Sequence, residues 1–306
     1  MKLWFPLRRE TIKRKSSHWG DILKTKIIGM PLNFGANRCG LEFSIENFLE
    51  VYPKYRDKME VLEVTRVKED FPMKAEKYLN TVSKACEDLA IKVNEVVKDG
   101  RIPITVGGDH AIAIGSIAGV AKEKEIGILW MDAHGDMNTP EISGTGNIHG
   151  MPLATSVGHG HSKLVNCLYE GAKVKKENVV LFGTRDIDEK EQKLIDELGV
   201  KNYTWDMIAE MGFEKAFGEV KEFFKGKNLH ISFDLDGIDP TEITAVGTPV
   251  VGGLSREMGK TLVSEMIDTA SVTSIDIVEY NPIYERETET SEYMNELLEL
   301  VEEKLS

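Results

Sequence analysis

Residues 126–138, IGILWMDAHGDMN, pass directly from an apolar run to a cluster of charged side chains. The run IGILW is apolar on both faces, which is typical of a strand in a parallel sheet that is covered on both sides. Asp132, His134 and Asp136 follow at alternate positions. Side chains two residues apart point to the same side of an extended backbone, so these three can converge on one point. Because such groups repel one another without a counter-charge, the spacing predicts a cation among them.

The same transition recurs at three other predicted strand ends. PITVGGDH ends in Asp109 and His110, HISFDLD carries Asp234 and Asp236, and SIDIVEYNP carries Glu279. A polar loop that faces water, a helix cap or a turn residue would explain any one of these stretches. Four strand ends together favour a ligand site, because ligands of open α/β sheets bind beyond the carboxyl ends of the strands.

Seven apolar runs predict strands, and the segments between them show helical patterns. The predicted strands are KIIGM (26–30), MEVLEV (59–64), IPITV (102–106), IGILWM (126–131), NVVLFG (178–183), HISFDLD (230–236) and VTSIDIVEY (272–280), and the predicted helices are 74–100, 110–123, 189–199 and 290–305. In the first helix, Tyr78, Val82, Ala85, Leu89, Val93 and Val96 form the apolar stripe.

Strand and helix alternate to the end of the sequence, without a Pro/Ser linker or a repeat. We therefore expect an α/β fold with three α/β/α layers around a mainly parallel central sheet. One domain over residues 1–306 is the economical interpretation, with a basic N-terminal extension at 1–24 and a C-terminal helix at 289–306.

Composition narrows the class of protein. The 306 residues are 41% hydrophobic and 29% charged, as in an ordinary soluble protein, and the net charge is −13. That charge argues against nucleic acid and anionic membranes as partners and mildly favours small cations. No apolar run approaches the length of a membrane span. Because Cys39, Cys86 and Cys167 are scattered, we expect reduced thiols and a cytoplasmic protein.

The charged residues at the strand ends are too numerous for one first-row cation. The candidate ligands are His110, Asp132, His134, Asp136, Asp234 and Asp236. Four carboxylates and two imidazoles suit two cations about 3.5–4 Å apart with bridging carboxylates. The oxygen-rich set without thiolate favours Mn²⁺ over structural zinc, although iron, cobalt and nickel remain alternatives. Water between two such cations would give hydroxide near neutral pH, a nucleophile for hydrolysis.

Two further residues fit hydrolysis of a cationic substrate. His149 lies in the Gly-rich loop GNIHGMP. An isolated loop histidine is usually an ordinary surface residue, but beside a metal-bound hydroxide it is suited to moving a proton. Glu279 adds a negative charge that would repel phosphate and hold a planar guanidinium.

Six stretches together resemble the ureohydrolase family, which includes arginases and agmatinases, and are most similar to bacterial arginases. They are GGDHAIAIGSI (107–117), DAHGDMNTP (132–140), GNIHGMPL (146–153), SFDLDGIDP (232–240), GTPVVGGLSRE (247–257) and DIVEYNP (276–282), and IIGMPLNFGANRCG (27–40) looks like the first strand and loop of that family.

The resemblance implies a binuclear manganese enzyme that cleaves the guanidinium of L-arginine to urea and ornithine by attack of a metal-bridging hydroxide. His110, Asp132, Asp136 and Asp234 would hold one Mn²⁺, and Asp132, His134, Asp234 and Asp236 the other. Glu279 would orient the guanidinium carbon, and His149 would carry the proton to the departing amine. The resemblance also implies a homo-oligomer, a trimer or a hexamer.

Substrate choice within the family would depend on Asn138, Thr145, Asn147 and Asp188. The resemblance implies that these residues contact the α-carboxylate and α-amino groups of arginine. Thr145 replaces the usual serine, and Gly135 replaces a threonine that is common in animal arginases. Asp188 fits equally well as the N-cap of the helix that begins EKEQ.

Four alternatives remain open from the sequence. An agmatinase or another guanidino-acid ureohydrolase would share the chemistry. A metallophosphoesterase would also use two metals, but it would need histidine ligands late in the chain, where His230 is the last. A non-catalytic relative would typically have lost ligands, whereas all six candidates are present.

Overall fold

Eight parallel strands form one sheet in the computed structural model, which describes residues 24–36, 38–69 and 76–306. They are β1 Thr25–Met30, β2 Met59–Val61, β3 Ile102–Gly107, β4 Gly127–Met131, β5 Val179–Phe182, β6 Lys201–Tyr203, β7 Asn228–Asp234 and β8 Ser271–Val278. The predicted N-terminal extension lies, apart from Lys24, outside the described residues.

Ten α-helices accompany these strands within the same ranges. They are α1 Ser44–Val51, α2 Leu79–Lys98, α3 Ala113–Ala121, α4 Pro152–Ser156, α5 Ser162–Val165, α6 Glu189–Leu198, α7 Trp205–Met211, α8 Phe213–Phe224, α9 Arg256–Thr269 and α10 Glu289–Leu305. In the described part of the chain, none of them has both the length and the apolar character needed to cross a membrane.

The sheet separates two apolar layers, because alternate residues of each strand face opposite sides. In β4, Leu129 and Met131 join the layer that includes α8, α9 and α10. Ile128 and Trp130 join the opposite layer, which includes α2 and α3. All five residues of β4 are buried, as the unbroken apolar run predicts. The predicted three-layer α/β/α fold is therefore confirmed, and the sheet is entirely parallel.

The strand order is β2-β1-β3-β8-β7-β4-β5-β6. The chain builds one side of the sheet with β1–β3 and the other with β4–β6, and β7 and β8 then fill the middle. The carboxyl ends of β3, β8, β7 and β4 are therefore neighbours, although they are far apart in sequence. This arrangement brings the charged residues that follow these four strands to one edge of the sheet.

Two of the sequence predictions need correction. The edge strand β6 was not predicted, because KNY is short and polar and gives no apolar run. The helix α2 begins at Leu79, several residues later than expected, and Tyr78 is outside its apolar stripe. Tyr78 has φ 59°, a left-handed conformation that cannot continue a helix, and its ring packs edge-on against Phe34. The rest of the predicted stripe is buried.

Candidate metal centre

The charged residues predicted from the sequence converge at the edge formed by the four middle strands. His110 follows β3, Asp132 follows β4, Asp234 ends β7 and Glu279 follows β8. The tight turn after β3 depends on Gly108, since a Cβ there would lie 1.7 Å from the Leu32 carbonyl oxygen. Backbone packing between two loops therefore fixes where His110 enters the site.

One group of possible ligands surrounds His110. Its Nδ1 lies 3.1 Å from Asp132 Oδ2, 3.1 Å from Asp136 Oδ2 and 2.9 Å from Asp234 Oδ2. Its other nitrogen, Nε2, is 2.8 Å from the Ser232 hydroxyl, and its ring stacks on Trp130 at 4.1 Å. When Nε2 donates its proton to Ser232, Nδ1 presents a lone pair to three carboxylate oxygens.

A second group surrounds His134 and shares Asp132 with the first. His134 Nδ1 lies 3.1 Å from Asp236 Oδ2 and 3.4 Å from Asp132 Oδ1. Asp236 also accepts a hydrogen bond from Thr248 at 2.9 Å, and Trp130 donates one to Asp132 at 2.9 Å. The metal-binding geometry of His110, Asp132 and Asp234, and of Asp132, His134 and Asp236, is compatible with one ion in each group.

The two groups carry more negative charge than buried side chains tolerate unaided. Burial, followed by the charges of Asp236 and Asp132, raises the pKa of Asp234 well above its usual range. Burial and the charge of Asp132 raise the pKa of Asp136 to about 6. A divalent cation would relieve this repulsion, because its charge inverts the local preference for protonation.

The environment of His110 Nδ1 is a second observation that fits metal ions. His110 Nδ1 is buried and makes no hydrogen bond of good geometry within the described residues, although three carboxylate oxygens lie around it. A lone pair that faces only acceptors is unfavourable unless a cation lies between them. Imidazole and carboxylate ligands without thiolate suit Mn²⁺ and related ions. Which residues bind a metal remains a prediction.

Two site residues have an unusual backbone. Asp136 has φ 48° and Glu279 has φ 68°, values that non-glycine residues rarely adopt. Such conformations persist only where surrounding contacts enforce them, and they concentrate at functional sites. The conformation at Glu279 is enforced by a hydrogen bond from its backbone nitrogen to the Gly108 carbonyl at 2.9 Å.

Glu279 and His149 form a pair beside the two groups. Glu279 Oε1 accepts a hydrogen bond from the His110 backbone nitrogen at 2.9 Å and lies 3.2 Å from His149 Nδ1. Burial opposes protonation of His149, but the hydrogen bond and charge of Glu279 raise its pKa to about 9. Glu279 Oε2 accepts no hydrogen bond from a described residue. His149 is therefore held as a proton donor, and Oε2 is left to face a ligand.

Asp109, the other acid at the β3 end, has a structural position. It accepts hydrogen bonds from the backbone nitrogens of Gly35 at 2.8 Å and Ala111 at 3.0 Å. Burial and the charge of Glu279 raise its pKa to about 7. Asp109 thus fastens the loop after β1 to the turn that carries His110.

A cavity of about 270 Å³ opens above the two groups. It is lined by His110, His134, Asp136, Asn138, Thr145, His149, Gly150, Asp186, Asp188, Glu191, Asp234, Asp236, Thr248 and Glu279. The predicted substrate residues Asn138, Thr145 and Asp188 are among them. Asn147 is buried behind this lining. Asp188 has the N-cap position of α6, but its side chain makes no capping hydrogen bond. The helix-cap interpretation therefore does not explain the orientation of its carboxylate.

Sequence reasoning missed three residues of the lining, Asp186, Glu191 and Thr248. Glu191 is buried, accepts a hydrogen bond from the Met137 backbone nitrogen at 2.8 Å, and has its pKa raised by burial to about 8. A Cβ at position 135 would lie 2.8 Å from Glu191 Oε1, so a larger residue there would require this carboxyl group to move. Thr248 lies in the stretch GTPVVGGLSRE and Asp186 lies two residues before the predicted Asp188, so their nearness in sequence to the motifs was the available signal.

Comparison with known proteins identifies the family of this chain. The Arginase family matches residues 23–301. The arginase of Bacillus subtilis (strain 168) is 40% identical over 285 residues, which cover 89% of this chain and 95% of that protein. The crystal structure of arginase from Bacillus cereus matches with a TM-score of 0.82 at 36% identity. The match covers 90% of this chain and 97% of the Bacillus cereus chain.

A more distant arginase shows how far the likeness extends. The crystal structure of Entamoeba histolytica arginase in complex with L-ornithine has a TM-score of 0.80 at 30% identity, with coverage of 93% and 98%. Both the fold and the sequence thus match enzymes of one family over most of their length. The chain therefore belongs to the arginase family and is a ureohydrolase.

Proposed function

We propose that this enzyme hydrolyses the guanidinium group of L-arginine to urea and ornithine with two Mn²⁺ ions per chain. The observation that carries the proposal is the convergence of three carboxylates on His110 Nδ1 at the floor of an acidic cavity. Bound metal ions would supply a water molecule activated for nucleophilic attack. His110, Asp132, His134, Asp136, Asp234 and Asp236 would hold them, with Asp132 and Asp234 shared.

Binding of the guanidinium is assigned to the charge of the cavity. Seven acidic side chains line it, and neither Lys nor Arg does so among the described residues. A cationic substrate is therefore attracted and a phosphate ester is repelled, which opposes the phosphoesterase alternative. Glu279 Oε2 would accept hydrogen bonds from the planar guanidinium and orient its carbon toward the metal groups.

Proton transfer is assigned to His149. Its Nδ1 faces Glu279, so Nε2 is the nitrogen left to protonate the departing amine. The neighbouring carboxylate favours the protonated ring, as a general acid requires. Asn138 and Thr145 would donate hydrogen bonds to the α-carboxylate of arginine, Asn147 would support them, and Asp188 would pair with the α-ammonium.

The test is urea release from the manganese-loaded protein with arginine, agmatine, guanidinobutyrate and formiminoglutamate. Arginine should give the highest kcat/KM. A cavity that hydrogen-bonds a carboxylate has unpaired donors when the carboxylate is missing, so agmatine should be disfavoured by more than the loss of one methylene. A preference for agmatine would replace this assignment with another ureohydrolase activity.

We also propose a cytoplasmic homo-oligomer, a trimer or a hexamer, with residues 1–306 as one domain. The support is the family resemblance together with Cys39, Cys86 and Cys167, which are all free thiols. Light scattering coupled to size-exclusion chromatography would measure the oligomeric state, and limited proteolysis would detect an independent second domain.

A further inference from the structure

The acidic lining that attracts a guanidinium creates a problem at the other end of arginine. Arginine carries a carboxylate there, whereas Asp186, Asp188 and Glu191 add acidic groups to the cavity beyond the candidate ligands, and neither Lys nor Arg is among its described lining residues. Arg185, the nearest arginine in sequence, donates to the backbone carbonyls of Gly183, Asp236 and Val250. A substrate carboxylate therefore needs a positive charge from outside the lining.

Lys77 lies directly behind the loop that carries Thr145 and Asn147. Its Nζ is 3.2 Å from the Thr145 carbonyl oxygen and 3.5 Å from Asn147 Oδ1. Thr145 lines the cavity, whereas Lys77 is exposed and approaches from the solvent side. The ammonium group is thus one residue away from the predicted carboxylate site.

The backbone next to Lys77 is hydrogen-bonded to this loop. The Glu76 backbone nitrogen donates to the Gly146 carbonyl at 2.7 Å. Glu76 and Tyr78 have φ 57° and 59°, so a strained residue flanks Lys77 on each side. Among the described non-glycine residues only Asp136, Leu168 and Glu279 share this property, and two of these belong to the site. Strain of this kind points to a position that contacts elsewhere enforce.

The contacts of Lys77 also determine which way the hydrogen-bond donors of Thr145 and Asn147 point. An ammonium group has donors only, so the atom of Asn147 that faces it is the acceptor Oδ1. The Asn147 amide NH₂ then points away from Lys77. Thr145 Oγ1 accepts a hydrogen bond from the Asn147 backbone nitrogen at 3.2 Å, which leaves the hydroxyl proton to be donated. Lys77 therefore supports an array of donors, and its charge makes that array attractive to an anion.

We propose that Lys77 is a specificity-determining residue that favours guanidinium substrates with a carboxylate at the end distant from the reacting carbon. The proposal rests on the proposed function, since it concerns the substrate class of the same site. Lys77 acts on binding through its charge, which its contacts with Thr145 and Asn147 place beside the predicted carboxylate site. It does not touch the reacting atoms.

The experiment compares Lys77→Gln and Lys77→Arg with the parent, using arginine and agmatine as substrates at low and high salt. Lys77→Gln should raise KM for arginine about 10-fold, with kcat within about 2-fold, and should leave agmatine kinetics unchanged. Lys77→Arg should restore most of the arginine affinity. The difference between parent and Lys77→Gln should shrink near 1 M salt, where charges are screened within about 3 Å.

Lys84→Gln is the matched control, because it removes the same charge from an exposed position on α2 where Lys84 pairs with Asp88. It should leave all four constants unchanged. If Lys77→Gln weakens arginine and agmatine equally, or changes neither, the proposal is overturned. A difference that persists at high salt would mean a purely structural effect on the loop, which also overturns it.

Binding of the products separates this inference from the proposed function. Calorimetry with L-ornithine and putrescine requires no turnover and uses the same manganese-loaded protein. A parent that prefers ornithine, with the preference lost in Lys77→Gln, supports the role of Lys77 even if no urea is released from arginine. A parent that binds both equally, or neither, would show that Lys77 does not select a carboxylate.

Discussion

The floor and the rim of the cavity are built in different ways. The floor, formed by the six candidate ligands with Glu279, lies at or just after strand ends and is mostly buried, with His110 Nδ1 within 3.1 Å of three carboxylates. The rim, formed by Asn138, Thr145, Asp188 and Lys77, comes from loops and helix starts. The floor side chains therefore hold one another in place, whereas the rim side chains lie outside this cluster. Chemistry is assigned to the first and substrate choice to the second.

The largest effect should come from the shared carboxylate of the floor. Asp132→Ala removes an oxygen ligand from both groups, so both metals should be lost and urea release should fall to background. Metal content by inductively coupled plasma mass spectrometry measures this directly. Asp186→Asn is the control, because its exposed carboxylate is 3.9 Å from His134 Nε2 and belongs to neither group. Loss of only one metal in Asp132→Ala would contradict the sharing.

His149 should matter for turnover and not for metal content. His149→Ala should keep both metals and lower kcat by roughly 10²–10⁴-fold, the usual contribution of general acid–base catalysis. Added imidazole should restore part of the rate. His161→Ala removes another loop histidine, at the start of α5, and should have no effect. Full activity of His149→Ala across pH would exclude its role in proton transfer.

A smaller loss is expected one step behind the ligands. Ser232→Ala removes the partner of His110 Nε2, and loss of such a partner typically costs 10–100-fold in metal affinity. Competition with a chelator would measure it. Ser274→Ala is matched to it, since Ser274 holds the buried His230 at 2.7 Å in the same sheet. Both variants should lose some stability, but equal metal affinity in the two would mean that Ser232 does not orient the ligand.

At the rim, Asp188→Ala should raise KM for arginine roughly 10-fold, the value of one charge-assisted hydrogen bond. Agmatine, which retains an amine at that end, reports whether the effect depends on the α-ammonium geometry. Asp196→Ala, at the other end of α6, controls for the loss of one carboxylate from the helix. A drop in stability with unchanged kinetics would instead make Asp188 a helix cap, worth about 1 kcal/mol.

The smallest effect concerns the rim's support and appears only in stability. Glu76 is buried, and burial with the charge of Glu141 raises its pKa to about 7. The folded protein thus retains this proton longer than the unfolded chain, so stability is lost as pH rises from about 4.5 through 7. Relative to the parent, the free energy of unfolding of Glu76→Gln should increase by about 1–2 kcal/mol when the pH is raised from 5.5 to 8.5, as measured by urea unfolding.

Glu95→Gln, an exposed change on α2, should leave the pH dependence of the parent intact. The same slope in Glu76→Gln and the parent would show that Glu76 ionises freely in the folded protein.

The floor could be predicted from sequence because its information is local. Alternate spacing in DAHGD and DLD, placed after apolar runs, specifies both the direction and the depth of the side chains. Most of what escaped prediction depends on distant contacts. Trp130 is a local exception: it was interpreted only as an apolar strand residue, yet its indole nitrogen donates a hydrogen bond to Asp132, two residues later. Glu191 reads as part of an exposed helix, yet it is 3% exposed and packs against Gly135.

The rim was harder to predict for the same reason. Lys77 falls inside a convincing helical pattern, and nothing in that pattern shows that Glu76 and Tyr78 have left-handed backbones. Glu76 donates a backbone hydrogen bond to Gly146, about 70 residues later in the chain, and Tyr78 packs against Phe34, more than 40 residues earlier. The edge strand β6 escaped because three polar residues carry no period. Propensity and spacing predict helices and strands, whereas tertiary contacts determine where these elements begin and end.

The strand order has a consequence for how the enzyme matures. Two three-stranded units, β2-β1-β3 and β4-β5-β6, can each pair from the first 203 residues. They are joined only by β7 and β8, which are the last two strands in the sequence. Asp234, Asp236 and Glu279 arrive with these strands, so a nascent chain exposes His110 and Asp132 before their partners exist. Pairing across so many residues is intrinsically slow, and unpaired strand edges invite aggregation meanwhile. On the proposed function, metal binding therefore has to wait until β7 has been made and has joined the two units.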